Sequence, residues 1–315
     1  MGGKKPSGAA KRKKKKEKEE AIERAREEME RLKLGPSKLW TGLVLHHKDI
    51  FVSHVLPKLN RTDRCFFARA KSEGADLLKY AKVDVSRMYF GVCECSSIST
   101  LELAWNNTKC GGKDTTGRVI DRAWFCHQVA LTNKLEFLKW AREVKHCEWD
   151  ELTLKHAICL GNLEMVEYCL ANHNPCDEKT ACNQAAIEGQ LDCLRFLLDK
   201  LKPSREVERD ATVQAAGFGH LDILKYCIEE RKITECLEDC VGFASEQGKL
   251  INLKYLVEEV KAPFNNVDFV SAARFREHYE CENYLLEKGV PEPTDREYKD
   301  YVRFVTEQRR RRGLD

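Results

Sequence analysis

A phrase written six times over constrains this chain more than any other feature. "AAGFGHLDILKYC" at residues 215–227 has close counterparts in "AAIEGQLDCLRFL", "HAICLGNLEMVEYCL" and "ASEQGKLINLKYL". Aligned on one anchor, the copies place Asn133, Gly161, Gly189, Gly219, Gly248 and Glu277 at intervals of 28, 28, 30, 29 and 29 residues. Four positions before the anchors stand Val129, Ala157, Ala185, Ala215, Ala244 and Ala273; two positions after them stand Leu135, Leu163, Leu191, Leu221, Leu250 and Tyr279. Seven positions after, an aromatic recurs without exception: Trp140, Tyr168, Phe196, Tyr226, Tyr255 and Tyr284. Self-similarity at a fixed period of this length is the signature of a stacked-repeat architecture.

Each copy reads as two helices. After the anchor, apolar residues such as Leu221, Ile223, Leu224, Cys227 and Ile228 draw one helical face. Before it, stretches such as "DATVQAA" form a shorter helix whose alanines permit close approach, and the anchor glycine separates the two. Neither helix buries its apolar face alone, so neighbouring units must stack into one core.

At these residues the chain resembles the ankyrin-repeat family. Thr180, Ala185, Ala186, Gly189 and Leu191 follow the family pattern, as do Ala215, Ala216, Gly219, His220 and Leu221. The resemblance runs over residues 123–289. It implies an all-α solenoid of helix-turn-helix repeats, with a helical N-terminal cap and a C-terminal capping helix. The family's period is about 33, so each unit here lacks roughly three to five residues and its hairpin finger should be stunted. The family's Pro-Leu-His is also missing, since "ACN" follows Thr180. The organisation read from the chain is a basic disordered arm running into an exposed charged helix (1–38), a helical segment (39–82), a degenerate first unit and loop (83–122), the repeats (123–290) and a capping helix with a basic tail (291–315). In the degenerate unit Ile98 takes the anchor position and Trp105 the aromatic role.

The resemblance implies a non-enzymatic protein that binds a partner protein on its concave face, at the two positions before each anchor. Those positions hold Leu160, Ile187, Glu188, Phe218, Glu246, Gln247, Phe275 and Arg276. Large apolar side chains facing solvent there would mark an interaction site. The alternative is that shortened fingers let them fold under into the core.

Residues 39–82 read as short helices broken at Pro57 and near Asn60, with Thr62 or Asp63 as a cap. Phe51, Val55, Leu56 and Leu59 share one apolar face. The segment resembles the F-box, which implies docking onto the Skp-type adaptor of cullin ubiquitin ligases and a substrate-receptor role. It departs from that module at His47 and Lys48, which replace its opening Leu-Pro, and at Arg64. The competing reading is a cover for the open end of the solenoid. At the other end, Asp295 reads as the N-cap of a helix that lays Tyr298, Tyr301, Val302 and Val305 on the last repeat.

Charge separates the ends from the middle. Residues 1–35 carry 13 Lys and Arg against 7 Glu, a net of +6, while the whole chain is +3. The remainder therefore sums to −3, and a mildly acidic body argues against nucleic-acid binding by the repeats. Nucleic-acid contact is left to the basic run Lys11, Arg12, Lys13, Lys14, Lys15 and Lys16, which reads as a solvated arm, a nuclear-import patch or a non-specific RNA contact. No apolar run approaches the ~18 residues of a membrane span, and no secretory signal opens the chain. A monomer resident in the nucleus or cytoplasm is expected. Fifteen cysteines then belong to a reducing compartment. Cys159, Cys169, Cys193, Cys227 and Cys281 serve as small hydrophobes in the repeat helices. Cys93 with Cys95, and Cys126 with His127, lack the paired spacing of structural zinc, so no metal is expected. Phosphate loops, nucleophile elbows and zincin helices are absent from the sequence, and neither a catalytic residue nor a cofactor is expected.

Overall fold

The computed structural model describes residues 47–70, 72–83, 91–108, 120–311 and 313, and every regular element among them is helical. The chain divides into two compact units, Met1–Thr100 and Leu101–Asp315.

In the first unit a helical turn Lys48–Ile50 runs into a π turn Phe51–Val55 and a 3-10 turn Leu56–Lys58, where Pro57 fits because its missing N–H falls in the first turn. Helices Arg61–Ala70 and Ser72–Tyr80 follow. Phe51, Leu56, Leu77 and Leu78 form a small core, ringed by Val52, Val55, Leu59 and Phe67. The cap of the first long helix is Asn60, whose side chain accepts from the Asp63 N–H at 2.7 Å. Thr62 and Asp63, the expected caps, lie inside the first turn. Thr62 is fully buried, accepting from the Gly91 N–H at 2.8 Å and donating to Glu94 at 2.9 Å. The expected anchor Ile98 is the first residue of helix Ile98–Asn107 and not a turn between two helices.

In the second unit the six copies become six helix pairs. The inner helices are Arg122–Ala130, Glu151–Cys159, Glu178–Ile187, Arg205–Phe218, Leu237–Glu246 and Val267–Phe275. The outer helices open at Leu135, Leu163, Leu191, Leu221, Leu250 and Tyr279. All six anchors adopt left-handed backbone, with φ from 59° to 91°. That conformation turns an inner helix into its outer partner, and glycine adopts it without strain. Asp121, Asp150, Asp177 and Asn266 cap inner helices by accepting a backbone N–H two or three residues on. Only three to six residues join each outer helix to the next inner one, so the fingers are stunted, as the short period requires. The alanines at Ala157, Ala185, Ala215, Ala244 and Ala273 are fully buried, and Trp105 meets Phe125 edge-on at 5.0 Å.

The aromatic column ties neighbouring outer helices together. The hydroxyls of Tyr168, Tyr255 and Tyr284 donate to Glu143, Glu229 and Glu258 of the preceding repeat at 3.0, 2.9 and 3.1 Å. Burial and the Glu143 carboxylate push the Tyr168 phenol up to about 12. Where the third repeat has Phe196, with no hydroxyl, the equivalent glutamate position holds Ala171. Lys139, Arg195, Lys225 and Lys254 lie over the rings of Tyr168, Tyr226, Tyr255 and Tyr284, 4.3 to 5.6 Å from their centroids. Three of these helices pass through π turns, at Trp140–Val144, Tyr226–Glu230 and Tyr255–Val260. A second left-handed column, His146, His173, Lys202, Lys232, Lys261 and Gly289, follows the outer helices.

The last helix, Asp295–Arg311, is capped by Thr294 and not by Asp295. Thr294 accepts from the Glu297 N–H at 3.3 Å while Glu297 accepts from the Thr294 N–H at 2.8 Å. This reciprocal capping box holds the Glu297 carboxyl below its usual range. Tyr298, Tyr301, Val302 and Val305 are half-buried, and Tyr301 meets Phe275 of the last inner helix at 6.3 Å.

Candidate protein-binding face

The face presented by the inner helices is held in register by side chains that reach back one repeat. The residue after each anchor is polar, and three of these residues latch onto the turn before them. Asn162 donates to the Asn133 carbonyl at 3.2 Å, Gln190 to that of Cys159 at 3.3 Å, and His220 through Nε2 to that of Ile187 at 2.8 Å. Buried Asn252 adds two bonds of 3.1 Å to the Ala215 and Ala216 carbonyls. These bonds fix the carbonyl ends of the inner helices, where the expected stripe lies.

Within that stripe Leu160 is 38% exposed and Phe218 42%, with Ile187 half-buried between their repeats. Glu188 is exposed and accepts from Gln184 at 2.8 Å. The stripe does not continue to the C-terminal end. Glu246 and Gln247 are half-buried, and Glu246 accepts from Arg276 at 2.7 Å. Phe275, expected on the open face, packs on Tyr301 of the last helix. An added aromatic escaped the sequence reading: Phe243 meets Phe218 edge-on at 6.1 Å. A Cβ on Gly217 would lie 2.1 Å from the Phe243 ring. Gly217, a glycine inside a helix, was the available signal, because that residue is disfavoured there unless something packs against the backbone.

Acids gather at the opposite, N-terminal ends of the same inner helices. Inner helices Glu178–Ile187, Arg205–Phe218 and Leu237–Glu246 carry seven Asp and Glu against three Lys and Arg. Of the three cations, Lys179 pairs with Asp210 at 2.5 Å and Arg205 with Glu208 at 2.9 Å. Glu178, Glu206, Glu238 and Asp239 remain exposed to solvent. A cleft between the second and third inner helices is lined by Glu151, Lys155, Pro175, Asp177, Thr180 and Gln184.

The residues expected to dock an adaptor share one small cluster. Phe51 and Leu56 are buried and Val55 and Leu59 half-buried, all in the first unit's own core. The basic run at residues 11–16 lies outside the described residues. Four of the five cysteines read as core residues, Cys169, Cys193, Cys227 and Cys281, are buried, and Cys159 is half-buried. Burial pushes the thiols of Cys193, Cys227 and Cys281 up to about 11. Among the described residues no group of three or more His, Cys, Asp or Glu is arranged to hold a metal ion. No helix among them is long and apolar enough to cross a membrane.

Comparison with known proteins agrees with the repeat architecture. Residues 126–208 match the family model described as ankyrin repeats, in three copies. No match to a curated protein was found.

Proposed function

We propose that this all-helical stack of ankyrin repeats is a non-enzymatic interaction protein, holding a segment of one partner protein along its concave inner-helix face. The observation that carries the reading is the exposure of Leu160 and Phe218 at equivalent turns of a registered stack. Single exposed apolar residues are ordinary. Here they recur at one structural position, on a scaffold latched repeat to repeat, with Ile187 between them. The exposed Glu188 beside Ile187, with Glu178, Glu206, Glu238 and Asp239 at the far ends of the same inner helices, favours a segment that carries Lys or Arg as well as apolar anchors.

Selection from a random peptide library against the folded chain tests this. Enriched peptides should pair an apolar anchor with basic neighbours and lose most of their binding to Phe218→Ser. Enrichment of acidic peptides, or equal binding to Phe218→Ser, would overturn it. The rival role, a ubiquitin-ligase substrate receptor docked through Phe51, Val55, Leu56 and Leu59, has less support because burial leaves these side chains little free surface. The basic run at residues 11–16 supports a nuclear site of action, and deleting it should shift a tagged protein toward the cytoplasm.

A further inference from the structure

Cys236 stands at the N-cap of inner helix Leu237–Glu246, in non-helical backbone with φ −119° and ψ 20°. Cys240 lies one turn into that helix, and its thiol points at Cys236 with 4.0 Å between the sulfurs. Cys236 also lines the cleft between the fourth and fifth inner helices, together with Arg205, Arg209, Asp210 and Asp239. The thiol is thus screened from bulk water, 1% exposed, yet borders an open cleft.

We infer that Cys236 and Cys240 form a peroxide-sensitive thiol pair, in which Cys236 is oxidised first and Cys240 closes a disulfide onto it. The surroundings divide the roles. As a thiol, Cys236 donates to the Arg209 carbonyl at 3.7 Å. As a thiolate it accepts from Cys240, at the positive end of a helix and near the Arg209 side chain. The Cys240 hydrogen bond holds the Cys236 thiol below its usual value, outweighing burial and the acids Asp239 and Glu235. Cys240 is pushed far up by the same contact and by burial. The exposed Cys93 and the half-buried Cys159 and Cys176 are also raised, chiefly by burial.

The chemistry balances with hydrogen peroxide as oxidant. The Cys236 thiolate attacks one peroxide oxygen; an S–O bond forms, the O–O bond breaks, and the departing hydroxide takes a proton to become water. Cys240 gives up its proton and attacks the sulfenic sulfur; the S–S bond forms, the S–O bond breaks, and a second water leaves. Two electrons pass from the sulfurs to peroxide. Residues one helical turn apart fall within the ~4.4–6.8 Å Cα span that a disulfide bridges. Because Cys236 is outside the regular helix, its closure needs only the first turn to adjust.

Peroxide titration of the folded full-length chain, followed by alkylation, tryptic digestion and mass spectrometry, tests the pair. Fragment 233–249 contains both cysteines and no other. It should lose two hydrogens and resist alkylation at peroxide doses that leave the exposed Cys93 unmodified. In Cys236→Ser, Cys240 should stay reduced. In Cys240→Ala, Cys236 should be trapped as a sulfenic acid by a cyclic diketone, more slowly than the wild type forms its disulfide because the Cys240 donor is gone. Oxidation of Cys93 with fragment 233–249 unchanged would overturn the proposal, as would oxidation of Cys240 at the normal rate in Cys236→Ser. The wild-type measurement decides even if a variant folds poorly.

Discussion

Replacing Gly189 by alanine tests how the repeats are latched. Gly189 has φ +73°, and an added Cβ would lie 2.5 Å from two ring atoms of His220. That ring donates to the Ile187 carbonyl at 2.8 Å. Two penalties therefore act together. The left-handed backbone costs an L-residue about 1–2 kcal/mol. Displacing the imidazole forfeits a part-buried hydrogen bond, about 0.5–1.5 kcal/mol. Chemical denaturation should show Gly189→Ala less stable by about 1.5–3.5 kcal/mol, the sum of the two. In a His220→Ala background the new methyl meets no ring, so the same change should cost only the conformational part, about 1–2 kcal/mol. The difference is a coupling of about 1 kcal/mol between adjacent repeats, readable as a double-mutant cycle. Equal costs in both backgrounds would refute the latch, and a cost below about 0.5 kcal/mol would refute the left-handed anchor itself.

Glu277 holds the same left-handed backbone without being glycine, φ 63°, so Glu277→Gly should stabilise the chain by about 1 kcal/mol; a lowered melting temperature would contradict this. Asn252→Leu should destabilise by about 1–3 kcal/mol despite its added apolar surface, because the Ala216 carbonyl loses its buried amide donor and the Ala215 carbonyl loses one of several; a neutral result would show that water replaces the amide. Tyr255→Phe should cost about 1 kcal/mol, and combining it with Glu229→Ala should add little, since both remove the same 2.9 Å bond.

The repeat phase was legible in the sequence because its physics filters residue types hard. A left-handed turn selects glycine at Gly161, Gly189, Gly219 and Gly248, and close inner-helix packing selects alanine four residues earlier. The second left-handed column was not legible. His146, His173, Lys202, Lys232 and Lys261 look like an ordinary solvated surface, and basic residues suit a helix C-terminus without any turn being implied. The tyrosines were visible but their glutamate partners were not, lying 25 or 26 residues upstream outside the apolar pattern. Caps were misplaced because Asp63 and Asp295, acids in a first turn, satisfy the helix dipole as a cap would, while Asn60 and Thr294 do the capping. At the candidate face, Leu160 and Phe218 are exposed at their expected turn positions. The contacts that add Phe243 and cover Phe275 are tertiary and leave no period to read.

Photocrosslinking in cells tests the proposed binding face most directly. A photoreactive amino acid at position 218 samples the inner-helix stripe; one at position 251 samples an outer helix, where Ile251 is 71% exposed. Protein adducts should form at 218, diminish when Leu160→Ser is added, and be absent at 251. Adducts at 251 alone, or adducts at 218 indifferent to Leu160→Ser, would contradict a partner held along Leu160, Ile187 and Phe218.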